Sequence, residues 1–301
     1  MSTPLTVAVP THNRAARLAE TLASIAALSF PDGIVPECLI IDNNSTDDTR
    51  GAVEGFARHA PIDVRYVLEP RQGSSYARNR AIAEARGRFI LFIDDDAIAD
   101  PDWAIEMLAE LERRQLDAAC GLVVPRWEAP PPRWLGPSIY IRLAVHDQAA
   151  LAAASPDDRD SIHNYYSANA GFRRETFDLF GGFREDLGVV GTNPISGEDT
   201  ELFQRIMVSG GAIGFAQRAR VQHIIGRERM TRRYMRRKSF AFGFGSAIAG
   251  GRTHNHLDKL FRNALRMLAA AATGNAERAV YHELECANFF GYWRGRLRTP
   301  R

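Results

Sequence analysis

Cysteine is scarce in this chain. Cys38, Cys120 and Cys286 are the only three in 301 residues, and none stands at the spacing of a metal site or a dithiol redox pair. A disulfide-stapled scaffold is thereby excluded, and the expectation is reduced, buried thiols in a cytoplasmic protein. Lysine is scarcer still. Lys238 and Lys259 are the whole complement, so nearly every positive charge is an arginine, a compositional bias rather than a functional signal. No apolar run approaches the roughly 18 residues of a membrane-spanning helix. The chain runs from Met1-Ser2-Thr3-Pro4 straight into a strand pattern at residues 5–9, and no signal peptide is expected. What remains, at 45% hydrophobic and 25% charged residues, is ordinary globular composition with length for one large α/β domain and an appendage.

The net charge of +2 conceals a division. Residues 217–301 hold 18 Lys and Arg against 5 Asp and Glu, while residues 1–216 hold 20 against 31. Two readings stand: contact of the basic part with a membrane or another polyanion, or pairing of the two parts within the molecule.

Strand and helix patterns alternate through the first part. Strands are expected at 5–9, 37–41, 63–68 and 89–93, and helices at 15–28, 46–59, 74–85 and 101–114. Ser45 or Thr46 suits the cap of the second helix, and Pro101 the first turn of the fourth. Repeated βα units imply a mostly parallel sheet with helices on both faces. After a strand at 118–124 the pattern changes. Residues 125–137 are rich in proline and read as a loop, and 147–161 as a polar surface segment. A helix at 198–209 is followed by short strands at 212–215 and 219–223. From Thr231 the chain is helical, with a basic cluster at 232–238 beside Phe240, Phe242 and Phe244, then helices at 257–272 and 276–293.

The densest chemistry lies at Phe89-Ile90-Leu91-Phe92-Ile93-Asp94-Asp95-Asp96. Five apolar residues read as a strand buried on both faces, and they end in three carboxylates that repel one another unless a cation sits among them. In open α/β sheets ligands bind at the carboxyl ends of strands. Oxygen ligands there suit Mg2+ or Mn2+, which also hold substrate phosphates. Other strand tips carry polar residues: Pro10-Thr11-His12-Asn13-Arg14 after the first, where Pro10 ends the ladder, and Asp42 after the second. Asp42 fits either a nucleobase or ribose contact or a cap on the next helix. Gly73 precedes a helical turn bearing Arg78.

These phrases, with Ala77-Arg78-Asn79, Gly181-Gly182-Phe183 and Gly197-Glu198-Asp199-Thr200-Glu201-Leu202, occur in order over residues 5–225 and resemble the family 2 glycosyltransferases of the GT-A fold. The resemblance implies a glycosyltransferase domain over residues 1–230, with a nucleotide-sugar half (1–124) and an acceptor half (125–230), followed by a basic helical extension (231–301). It implies a nucleotide-diphospho-sugar donor, most often a UDP-sugar, and transfer with inversion to a glycan or lipid-linked saccharide. Carried over by position, Pro10, Thr11, His12, Arg14, Asp42, Arg78, Asp94 and Asp95 bind the nucleotide sugar. Asp96 is the metal ligand for Mn2+ or Mg2+, and His223 stands where some such enzymes place a further one; a packed histidine is the other reading. Asp199 is the general base that takes the proton of the acceptor hydroxyl. Glu198, Trp127 and Asn169 belong to the acceptor side, as do Arg173 and Arg174. Trp134, Tyr165 and Tyr166 are further candidates for an aromatic platform, with core filling as the alternative. Arg227 and Arg229 suit a diphosphate.

Rival readings are weaker. A sugar-nucleotide pyrophosphorylase wants a glycine- and lysine-containing phosphate loop after the first strand, and residues 10–14 have neither. A glycosidase has no use for the nucleotide motifs. A processive polymerase is disfavoured by the absence of a Gln-x-x-Arg-Trp motif. A non-catalytic nucleotide-sugar binder or membrane scaffold keeps the fold, but Asp94, Asp95, Asp96 and Asp199 are all present. Nucleic acid is not an expected partner. The expected location is cytoplasmic, with the basic extension against the anionic inner face of the membrane.

Overall fold

The apolar run 89–93 is buried throughout, Phe89, Leu91 and Ile93 in one core and Ile90 and Phe92 in another. This is the demand of a strand with helices on both faces. The computed structural model describes residues 3–147, 165–190, 195–250 and 257–298. Its elements run β1 (Thr3–Thr11), α1 (Ala15–Ala26), β2 (Ile34–Asp42), α2 (Thr49–Ala57), β3 (Asp63–Leu68), α3 (Ser74–Glu84), β4 (Phe89–Ile93), β5 (Ala97–Ala99) and α4 (Trp103–Arg113). Then come β6 (Ala118–Trp127), a 3-10 helix (Pro137–Leu143), β7 (Asn169–Arg173), α5 (Glu175–Phe180), α6 (Glu198–Val208) and β8 (Ile213–Ile225). A 3-10 turn (Arg227–Arg229) leads into α7 (Arg232–Ile248), α8 (Leu257–Ala272) and α9 (Ala276–Arg298).

The strands form one sheet in the order β3-β2-β1-β4-β7-β6-β8-β5. The β3-β2-β1-β4 part is parallel, as the βα alternation implies. Beyond it β7 is antiparallel to β4 and β6, β6 is parallel to β8, and β5 is antiparallel to β8. Strands β4 and β5 are four places apart in this order, about 19 Å in a flat sheet. The four-residue step from Ile93 to Ala97 spans about 14 Å at most. The sheet therefore curls, and its last edge returns to the tip of β4.

Several boundaries differ from the sequence reading. Pro10 does not end β1. It lies where β1 has β2 alone as a neighbour, because pairing with β4 stops at Ala8, and a residue without an N–H is tolerated there. The two short strands expected over 212–223 are one strand, β8, with a bulge opposite Gly121 and Leu122. Strand β6 continues through Trp127 because residues 122–127 pair with β8. The cap position of α2 is Asp48, and the neighbouring Asp47 accepts the Thr49 N–H. The surface segment expected over 147–161 lies, from residue 148 onward, outside the described residues. Cys38 and Cys120 are buried and Cys286 half-buried; all three are free.

The C-terminal helices are bound tightly to the body. The Thr231 hydroxyl caps α7, accepting from Tyr234 N at 3.2 Å. Helices α7 and α9 touch backbone to backbone: a Cβ on Gly243 would lie 1.9 Å from the Asn288 carbonyl oxygen, and one on Gly291 1.9 Å from that of Phe240. The buried Arg142 of the 3-10 helix reaches Ser239 on α7 at 2.9 Å and Glu285 on α9 at 2.6 Å. In the basic cluster expected to face a membrane, Arg232 and Arg236 instead pair with Glu283, Phe244 is buried, and Phe240 and Phe242 are half-buried. Pairing within the molecule holds at Arg232 and Arg236.

Because the contacts at Gly291 are backbone, no side-chain adjustment makes room for a methyl group. Gly291→Ala is expected to destabilise the protein by about 1–3 kcal/mol, read as a lower midpoint in thermal or urea denaturation.

Candidate active site

Two acidic segments meet at the carboxyl end of the sheet. Asp94, Asp95 and Asp96 form the turn between β4 and β5, closed by a hydrogen bond from Ala97 N to the Asp94 carbonyl at 3.1 Å. Ile224 N donates to the Asp96 carbonyl at 2.8 Å, and the pairing of Ala97 with His223 brings the imidazole beside Asp96. The Thr11 hydroxyl donates to Asp95 Oδ2 at 2.8 Å. Arg14 Nη1 donates to Asp95 Oδ1 at 2.8 Å and also to Asp96. Arg229 Nη2 donates to Asp96 Oδ2 at 2.6 Å. Arg14, Arg17, Asp96, Glu228, Arg229 and Tyr234 are among the residues lining a cleft of about 340 Å³ here.

Arg78 joins this turn to the second acidic segment. From α3 its Nη2 reaches Asp94 Oδ1 at 3.2 Å and its Nη1 reaches Glu198 Oε1 at 2.9 Å. Glu198 is buried and also accepts from the Ser74 hydroxyl at 2.8 Å and Gly197 N at 3.1 Å. Its carboxylate thus faces into the protein, not outward to an acceptor. The adjacent Asp199, in the first turn of α6, is half-buried; its Oδ1 accepts from Thr200 N at 2.8 Å and its Oδ2 lies 3.5 Å from Ser167 N.

The tips of β1 and β2 form the other end of the site. His12 Nδ1 donates to the Asn43 carbonyl at 2.8 Å, which leaves Nε2 as the acceptor, 3.2 Å from Asn13 Nδ2. Asp42 is buried, with Oδ1 accepting from Ser45 N at 2.8 Å and Oδ2 from the Tyr66 hydroxyl at 2.6 Å. These contacts close the turn after β2 and tie its tip to β3, while the cap position of α2 belongs to Asp48. Asn43 is a positioning residue that the sequence reading passed over. Its Nδ2 donates to the Arg71 carbonyl at 2.7 Å, and its Oδ1 accepts from Gly73 N at 2.7 Å, which seats the start of α3 and hence Arg78. Only its place directly after Asp42 at a strand tip marked it.

Burial and neighbouring charge separate the carboxylates. Burial lifts Asp95 to about 6 against the pull of Arg14. Burial acts the same way on Asp96, but His223, Arg229 and Arg14 overcome it and hold Asp96 well below the usual carboxylate range. Burial, with the charge of Glu198, raises Asp199 to about 6. On Arg78 burial opposes the charge, and Asp94, Glu198 and Asp199 outweigh it, raising the guanidinium above its ordinary value.

The Asp96 and His223 pair fits a divalent cation. His223 Nε2 lies 3.2 Å from Asp96 Oδ1 and 2.8 Å from Arg229 Nη1. It must donate to the first and accept from the second, and one ring nitrogen cannot do both. Its Nδ1 is buried without a partner. A metal ion taken up by both the carboxylate oxygen and the imidazole nitrogen removes that conflict. Among the described residues no three His, Cys, Asp or Glu side chains converge as a metal cage.

Other candidates lie elsewhere. Asn169 is fully buried; Trp103 Nε1 donates to its Oδ1 at 2.7 Å, and its Nδ2 donates to the Leu122 and Ala219 carbonyls at 3.0 and 2.9 Å. It ties β7 to β6, β8 and α4, and offers no group to an acceptor. Tyr165 and Tyr166 are buried against Phe203 and His146. Trp127 and Trp134 are half-buried on the core, Trp127 with its ring 5.9 Å from that of Tyr140. Arg173 and Arg174 donate to backbone carbonyls, of Leu111 and Leu116 and of Ala85.

Comparison with known proteins places this geometry. The family model described as Glycosyl transferase family 2 matches residues 6–180. The succinoglycan biosynthesis protein ExoM of Rhizobium meliloti is 29% identical over 238 residues, 79% of this chain and 72% of that protein. The glucosyl-dolichyl phosphate glucuronosyltransferase of Haloferax volcanii is 25% identical over 252 residues, 82% of this chain and 77% of that one. The solved structure of the mannosyltransferase PcManGT from Pyrobaculum calidifontis, in complex with GDP-Man and Mn2+, matches 99% of this chain and 88% of its own at a TM-score of 0.68 and 21% identity. That of S. aureus TarS in complex with UDP-GlcNAc matches 99% and 91% at 0.54 and 16%. At these identities the structural matches establish the fold, which is GT-A.

Arg78 is the buried cation between the two acidic segments. Arg78→Ala leaves Glu198 buried without its counter-charge and is expected to destabilise the protein by about 3–5 kcal/mol, with Arg78→Lys recovering part of the loss, as urea denaturation would read.

Proposed function

The chain belongs to glycosyl transferase family 2, and from that premise we propose an inverting, metal-dependent enzyme that moves a sugar from a nucleotide-diphospho-sugar to a hydroxyl of a glycan or lipid-linked saccharide. Glycosyl transfer is the family's activity; stereochemistry, metal and residue roles are our reading. The observation that carries it is the bridge of Arg78 between Asp94 and Glu198, which sets the half-buried Asp199 at the same end of the sheet as the acidic turn. Structures of fold neighbours with GDP-Man and with UDP-GlcNAc support a nucleotide-sugar donor.

In this reading Pro10, Thr11, His12 and Asp42 line the place of the base and ribose, and Asp94 and Asp95 that of the ribose and sugar. Asp96 and His223 would hold Mn2+ or Mg2+, the imidazole favouring Mn2+. Such an ion supplies positive charge against the diphosphate as it departs. Arg14 and Arg229 present guanidinium groups in the same cleft, suited to the same anion by paired N–H donors. Asp199 accepts the proton of the acceptor hydroxyl as that oxygen attacks the anomeric carbon, opposite the bond that breaks to the diphosphate. Glu198, held by Arg78, Ser74 and Gly197, positions Asp199 and does not touch the acceptor itself.

Calorimetry with UDP, GDP and dTDP, with Mn2+ and then with excess chelator, tests the donor site. One nucleotide is expected to bind in the presence of metal, and Asp96→Ala to weaken that binding by about tenfold or more; metal-independent binding unchanged in the variant would refute the metal assignment. Asp199→Asn is expected to keep nucleotide binding and lower kcat by about 10²–10⁴-fold. Asp199 must be ionised to take a proton, and burial has raised it to about 6. The rate is therefore expected to rise with pH through a midpoint near 6 and to level off about one unit above it, and a pH profile flat from 5 to 8 would contradict its role as the base.

A further inference from the structure

Helix α8 turns its apolar stripe away from the protein. Leu257, Phe261, Leu265 and Leu268 recur at helical spacing, and they are 63, 67, 67 and 62% exposed. The side that packs inward holds the helix's two buried residues, Asn263 and Ala270, with Asn263 Oδ1 2.9 Å from His282 Nδ1 of α9. That contact sets the register of the antiparallel pair. It places Leu257 about level with Asn288 of α9, close to the exposed Phe290, while the exposed Trp293 and Leu297 lie further along α9.

The charges around this face are predominantly cationic, Asp258 being the exposed acid among them. The acids of α9 are engaged inward: Glu283 with Arg232 and Arg236, Glu285 with Arg142 and Lys259, and Glu277 with Ser138. Arg262 pairs with Asp258 of its own helix. Among the described residues Arg266, Arg294 and Arg296 are exposed and pair with no carboxylate. No helix among the described residues is long and apolar enough to cross a membrane.

We propose that the outward face of α8, with the exposed end of α9, docks on an anionic lipid bilayer. An apolar stripe of Leu and Phe flanked by long cationic side chains suits a helix lying in the plane of the interface, its hydrocarbon side among the acyl chains and its guanidinium groups among anionic headgroups. Charge argues against a second copy as the occupant. A two-fold interface sets the same patch against itself, and the arginines of one copy would meet those of the other. The inference is independent of the proposed chemistry, since none of these residues lies in the active site.

Co-sedimentation of the full chain with vesicles tests it, using phosphatidylcholine alone and phosphatidylcholine with about one third phosphatidylglycerol. Binding to the anionic vesicles is expected, weakening with salt, with little binding to the neutral ones. Phe261→Glu combined with Leu265→Glu is expected to lower it by about tenfold or more, while the melting temperature and nucleotide affinity stay at wild-type values. Arg266→Gln combined with Arg294→Gln is expected to reduce the preference for anionic lipid. The proposal is overturned if the wild-type chain ignores anionic vesicles, or if the Phe261 and Leu265 variant binds them equally well. It is also overturned if the wild type is a dimer that does not bind vesicles and this variant is a monomer, which would assign the face to a second copy.

Discussion

Five carboxylates, Asp94, Asp95, Asp96, Glu198 and Asp199, converge at one end of the sheet, and the remainder of the site is built to hold that charge. Two unit charges 4 Å apart interact by about 4 kcal/mol at the effective dielectric of a protein surface, so such a cluster stands only if cations are placed among it. Three arginines from three parts of the chain do this. Arg14 bridges Asp95 and Asp96, Arg78 bridges Asp94 and Glu198, and Arg229 bridges Asp96 and His223. Each belongs to a different segment, so the charge that opposes folding locally becomes a clamp between distant elements. Two of these arginines, Arg14 and Arg229, also line the cleft beside Asp96, with Arg17 next to them.

The curl of the sheet makes this clamp possible. In a flat sheet His223 on β8 would lie far from the tip of β4; in the curled one β5 pairs with β8 and carries Asp96 to it. The C-terminal helices support the other side. A Cβ on Gly245 of α7 would lie 1.8 Å from the carbonyl oxygen of Ser196, so α7 presses on the backbone just before Glu198 and Asp199. Those helices are therefore part of the framework that places the acidic pair, while their outer face remains available for another surface.

Much of this was legible in the residues. The run Phe89–Ile93 ending in three aspartates located both the buried strand and the site, because an apolar run of that length has to be covered and the charges after it have to be exposed or neutralised. Asp63–Leu68 and Leu257–Ala272 agree with their expected bounds for the same reason, a clear period between breaks. Asn169 was not legible in this way. Its type suits a polar contact anywhere, and only the meeting of Trp103, Leu122 and Ala219 around it makes it a buried tie between strands. Phe244 and Arg232 left two readings open, since a basic and aromatic cluster reads alike whether it faces lipid or a neighbouring helix.

The sequence by itself determined the α/β alternation, the family and the positions of the acidic turn and the acidic pair, since these follow from local period and from the order of short phrases. The tertiary structure alone decided which cation answers which carboxylate, that Glu198 is buried while Asp199 is half-buried, and that α8 rather than α7 carries the outward apolar face. The physical reason is that local pattern is written along the chain at separations of two to four residues. Charge compensation and burial depend on partners more than a hundred residues away, as with Arg78 and Glu198, and those are chosen only when the sheet curls and the helices close on it.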